Sequence, residues 1–175
     1  PASLGAVLPA VAVAMLALMV SDLKTGLVPV QEVASASLTQ REHVAAAQFV
    51  RTYFRGQGVV VNDVGAMAYY SDADVLDMFG LCAIEPVLER RAEGGYDKHD
   101  VALWTDPLHP RLAIVQLSWG WVAPHVPDAW RKAAEVRLEP EGRVLGFYAI
   151  ADDLKGVDLR ADIAEFYGPL AARYG

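Results

Sequence analysis

The stretch Val59–Leu81, VVVNDVGAMAYYSDADVLDMFGL, reads as strand, tight turn, short helix, loop, strand. Three β-branched valines favour a pleated backbone, and they run straight into Asn62-Asp63 and then Gly65. A second apolar run, Val75 to Leu81, carries one acid, Asp77, between Leu76 and Met78. Acids at the end of one strand and inside the next mark either a ligand site or a rigidly tied corner. Ligands of open α/β sheets settle outside the carboxyl ends of strands, where Asp63 falls. The competing reading is that Asn62 or Asp63 caps the helix through Met67 to Tyr70 by accepting backbone N–H groups. Asp77 needs partners for its buried charge, from neighbouring backbone or from a cleft.

Working outward, a helix is predicted ahead of this unit. Thr39-Gln40-Arg41-Glu42 is a capping box, and Ala46, Ala47, Val50, Tyr53 and Phe54 form an apolar stripe at helical spacing up to Gly56. Beyond it, Glu85 to Arg91 reads as a short helix ended by Gly94-Gly95, and His99 to Trp104 as a short strand or part of a helix. Leu112 to Trp119 is a continuous apolar run, the pattern of a strand buried on both faces. Glu135 to Leu138 and Arg143 to Ile150, joined by Pro140-Glu141-Gly142, read as a hairpin at a sheet edge. A terminal helix is expected over Asp158 to Tyr174, with Ile163, Phe166, Tyr167 and Leu170 inward despite Pro169.

Pro1 to Ser21 contains no charged residue, and LGAVLPAVAVAMLALMV is almost wholly apolar. About 20 apolar residues at ~1.5 Å each match a bilayer core of ~30 Å. A signal segment and a buried core helix are the rivals, but no basic residue precedes the run and a core helix without a polar face suits a larger protein. The first residue is Pro1 rather than Met, so a longer parent chain is expected. The expected organisation is a transmembrane helix over 1–21, a connector over 22–37, and one α/β sandwich domain with a mixed sheet over 38–175.

Charge and composition narrow the partners. The chain of 175 residues carries a net charge of -7, and its basic residues occur as isolated pairs, Arg90-Arg91 and Arg131-Lys132. Neutralising phosphates needs a concentrated basic surface, so nucleic acid is excluded as a partner. Lys24 alone follows the apolar segment closely, and the positive-inside rule therefore leaves the globular part extracytoplasmic, in the periplasm. Membrane lipid is the expected partner.

The remaining chemistry is sparse. His43, His99, His109 and His125 lack the paired spacing of a zinc site, and Asp72 and Asp74 lack the ligand series of a calcium loop and are read as solvated. Cys82 is the single cysteine. No catalytic residue, metal or cofactor is assigned. Trp119 and Trp121, with Trp130 and Tyr148, form either an aromatic platform for sugar rings or the lipid interface, or part of the core. The candidate binding residues are Asp63, Asp77, Trp119 and Trp121.

The apolar segment, the helix with an aromatic end and VVVNDVGAMAYYSDADVLDMFGL together resemble the carboxyl-terminal part of bacterial GT-C-type glycosyltransferases that use polyprenyl-phosphate sugars. The matching positions are Asp63, Gly65, Ala66, Ala68, Tyr69, Tyr70, Asp77, Gly80 and Leu81. The resemblance covers residues 1–81 and extends to the rest only in general layout. It implies the terminal membrane helix and an accessory extracytoplasmic domain, which covers a membrane-embedded site or contacts acceptor glycan. In that family the catalytic acid lies in an early extracytoplasmic loop that this chain does not contain, so no transfer activity is expected of it alone. A polyprenyl-phosphate sugar or an acceptor glycan would be met through the full-length protein. A membrane-anchored carbohydrate or cell-envelope binding module is the alternative.

Overall fold

A computed structural model describes residues 42–80, 82, 85–138, 143–154 and 156–174. The expected membrane span, the connector and most of the capping box therefore lie outside the described residues, as does the Pro140-Glu141-Gly142 turn. No helix among the described residues is long and apolar enough to cross a membrane.

The fold is α/β with one mixed five-stranded sheet. In chain order the elements are α1 (42–53), β1 (Gly58–Val61), α2 (Gly65–Tyr70), β2 (Asp74–Asp77), α3 (Glu85–Ala92), α4 (Lys98–Thr105), β3 (Leu112–Gln116), β4 (Arg131–Leu138), β5 (Arg143–Ala149) and α5 (Gly156–Tyr174). The strand order is β2-β1-β3-β5-β4. β1 pairs in parallel with both β2 and β3, whereas β5 runs antiparallel between β3 and β4. The hairpin sits at a sheet edge as its sequence indicates.

This order sends the chain from β1 to one neighbour and then back across to the other. Right-handed crossovers leaving in opposite directions deposit their helices on opposite faces. On one face, Val59, Val61, Leu112 and Ile114 pack with Met67 of α2 and with Ala46, Ala47, Phe49 and Val50 of α1. On the other, Val60, Ala113 and Val115 pack with Val101 of α4, Val122 and Trp130. Side chains alternate across the sheet with period two, so β1 and β3, covered on both faces, are apolar on both faces up to Gln116 at the end of β3. β3 is buried from Leu112 to Gln116.

Phe49 centres the first face. Its ring lies 5.1 Å from Tyr53, 5.4 Å from Phe147 and 5.6 Å from Phe166, tying α1, β5 and α5 together. It belongs on the apolar stripe beside Val50, together with Ala46, Ala47, Tyr53 and Phe54. On α5, Ile163 and Tyr167 are buried and Phe166 and Leu170 half-buried, as expected. Burial holds the Tyr167 hydroxyl well above the ordinary phenol range. His99 to Trp104 is helical: Asp97 accepts the N–H groups of His99 and Asp100, and the Asp100 carboxylate accepts the Asp97 N–H.

Two further expectations change. β2 ends at Asp77 rather than running on through it, and Gly80 follows at φ +78° with Val87 so close that an added Cβ would lie 2.8 Å from its Cγ1. Asp72 is not simply solvated: its carboxylate lies 3.4 Å from Arg51 Nε and 3.2 Å from Arg55.

Candidate functional site

In a sheet ordered β2-β1-β3, the carboxyl ends of β1 and β3 flank the point where the winding reverses. The crossover loops diverge there, which leaves a crevice that α/β proteins use for ligands. In this protein that crevice is lined by polar side chains from three elements: His43 of α1, Asn62 and Asp63 after β1, and Gln116 at the end of β3. Ala46, Met67, Ile114 and Leu145 form its apolar wall. The free space is about 20 Å³, which is room for one water-sized group.

Asn62 extends the sheet with its side chain. Backbone pairing of β1 with β3 ends at Val61 and Ile114, and the Asn62 Oδ1 then accepts the Gln116 N–H at 2.8 Å. Gln116 Nε2 donates to Ser118 Oγ at 3.1 Å, and Gln116 Oε1 lies 2.8 Å from His43 Nε2. With a carbonyl oxygen facing it, that ring nitrogen carries the hydrogen. The other ring nitrogen, Nδ1, is 3.2 Å from Asp63 Oδ2. Both nitrogens of His43 thus have partners, and the ring bridges Gln116 and Asp63.

The structure corrects the capping expectation. The residue preceding α2 is Val64, with no side-chain cap bond; Asn62 is engaged by β3 and Asp63 by α1. Asp63 is therefore at the crevice, and its side chain is 27 % exposed.

Asp77 is elsewhere and differently held. It is 1 % exposed, and its two carboxylate oxygens accept the N–H groups of Phe79 and Cys82, each at 2.8 Å. These bonds fold the chain back after β2, while Met78 N–H donates to the Val61 carbonyl. Its geometry is that of a tied corner.

The tryptophan loop follows β3 at the same sheet edge. Trp119 and Trp121 are stacked with centroids 5.9 Å apart and planes at 24°, and Trp121 also meets Phe79, beyond β2, at 4.7 Å. Since β1 lies between β2 and β3, the Phe79–Trp121 contact reaches across the position of β1. His125 Nδ1 lies 2.8 Å from the Trp121 carbonyl and fixes the loop. Trp121 is 44 % exposed. Trp130 and Tyr148 do not join this platform: both are buried in the core of the second face, where burial also raises the Tyr148 phenol above its ordinary value.

Sequence reasoning singled out Asp63 and the tryptophans but not His43, Asn62 and Gln116 as a group. The one available signal was Gln116 itself, the single polar residue within LAIVQL. Among the described residues no cluster of His, Cys, Asp and Glu could hold a metal ion.

Fold and site together define a doubly wound α/β domain with a small polar crevice and an aromatic loop on one sheet edge. The chain belongs to the family described as Domain of unknown function (DUF8728), whose model matches residues 31–155. Nothing among curated proteins or solved structures matches it.

Proposed function

We propose that this chain is the terminal membrane segment and extracytoplasmic accessory domain of a glycosyltransferase that uses lipid-linked sugars, without transfer activity of its own. The observation that carries this reading is the stacked Trp119–Trp121 pair, with Trp121 half-exposed, in the loop that leaves the carboxyl end of β3, the edge where α/β sheets receive ligands. An indole face is electron-rich and flat. It suits the C–H face of a sugar ring, and neutral hydrogen-bonding side chains suit its hydroxyls. The acidic balance of the chain supports a neutral glycan rather than a polyanion.

The full chain in detergent micelles tests this. Methyl glycosides of mannose, galactose and arabinose should quench indole fluorescence saturably, and Trp121→Ala should remove most of that response. The same preparation should show no turnover of a polyprenyl-phosphate sugar. Turnover, or quenching unaltered by the substitution, sinks the reading.

A further inference from the structure

We propose that the crevice between the carboxyl ends of β1 and β3 is a hydroxyl-reading subsite, in which the side-chain amide of Asn62 donates to one sugar hydroxyl and Asp63 accepts from it. This deepens, and rests on, the glycan-facing reading of the domain.

Asn62 is 1 % exposed, and its Nδ2 has no protein acceptor among the described residues. An amide can often be turned over to exchange its oxygen and nitrogen, but not this one. Its Oδ1 receives a backbone N–H, that of Gln116 at 2.8 Å, and reversal would set two donors against each other. The unsatisfied group is therefore the NH2. A buried donor without an acceptor costs about 1–3 kcal/mol, and native proteins keep few of them.

The crevice gives about 20 Å³, enough for one hydroxyl entering from a larger ring that stays outside. Asp63 lines the same space, and one of its oxygens, Oδ2, is 3.2 Å from His43. A carboxylate beside the entrance repels an anion, so a phosphate oxygen is disfavoured relative to a neutral hydroxyl. A hydroxyl both accepts and donates, and it matches a wall that offers an amide donor and a carboxylate acceptor. His43 and Gln116 are already bonded to each other at 2.8 Å and hold these two groups in position.

The test uses the full ¹⁵N-labelled chain in detergent micelles, with the Asn62 side-chain NH2 signals assigned through its own backbone. The probes are the methyl glycosides of mannose, galactose and arabinose, with inorganic phosphate as the anion. At least one glycoside should move the Asn62 pair saturably, phosphate should not, and Asp63→Asn should weaken the glycoside effect at least ten-fold. Asp63 is partly exposed and makes no bond on which the sheet depends, so this variant keeps the fold. Asn62 signals that respond to no glycoside, that respond equally to phosphate, or that show contact with water only overturn the proposal. Indole fluorescence recorded in the same titration separates the two readings. Quenching without movement of Asn62 removes the subsite and leaves the glycan-facing domain; absence of both removes both.

Discussion

Asp63 and Asp77 are the same side chain at the ends of neighbouring parallel strands, and Asp77 is level with Val61, two residues before Asp63. Their surroundings have little in common. Asp77 spends both oxygens on backbone N–H groups of its own turn and is sealed from water. Asp63 spends one on an imidazole and keeps a quarter of its surface open. Position at the carboxyl edge is shared, so position alone does not make a site. The winding reverses beside β1 and not beside β2, which is an edge strand; the end of β1 faces a crevice and the end of β2 faces its own turn.

The comparison predicts its largest effect at Asp77. Replacing it with alanine leaves two N–H groups without their acceptor in a part-buried turn, a loss of about 2–3 kcal/mol. Asp77→Asn keeps one acceptor oxygen and should lose roughly half of that. Denaturant midpoints of the two variants, with unchanged slopes, measure this. Equal and negligible effects would show that Asp77 does not tie the corner, and its candidacy as a ligand group would reopen.

A smaller effect is expected at Asp63. Alanine there removes a part-exposed carboxylate–imidazole contact while the His43–Gln116 bond at 2.8 Å persists, so the stability change should stay below about 1 kcal/mol. The same denaturation measurement checks it. A loss as large as that of Asp77→Ala would make Asp63 a second structural knot and abolish the contrast.

How far the sequence discloses this arrangement depends on whether the signal is local. Helical spacing reveals α1 and α5, the valine run reveals β1, and the largely apolar run reveals β3, because burial on one or both faces writes itself into consecutive residues. Asp97-x-x-Asp100 hides the start of α4, since Asp rather than Glu or Gln closes the capping box. Strand order is not local, and the crevice depends on it. His43 and Gln116 are 73 residues apart and meet only because β3 lies beside β1. Trp130 and Tyr148 could not be separated from Trp121 by type; the place of β5 inside the sheet puts Tyr148 in the core, and Trp130 packs beside it with ring centroids 6.4 Å apart.

A third acid has partners of both kinds at the surface and should give the smallest effect. Asp100 combines both kinds of partner: a cation, Arg90, whose Nη2 is 2.9 Å away, and one backbone N–H, that of Asp97, at 3.1 Å. The Arg90 guanidinium first, and the Asp97 N–H second, hold its carboxyl below the ordinary carboxylate range. The folded chain then binds this proton less readily than the unfolded one. Its stabilising contribution is complete above the ordinary value and is lost as pH falls through the lowered folded value. Asp100→Asn should therefore flatten the acid limb of the Tm-against-pH curve and shift Tm only slightly near neutrality, where the cap survives through Asp97. A steeper acid limb in the variant would reverse the sign. Partner number and type would then not rank these three carboxylates, and the distinction drawn between Asp63 and Asp77 would need another cause.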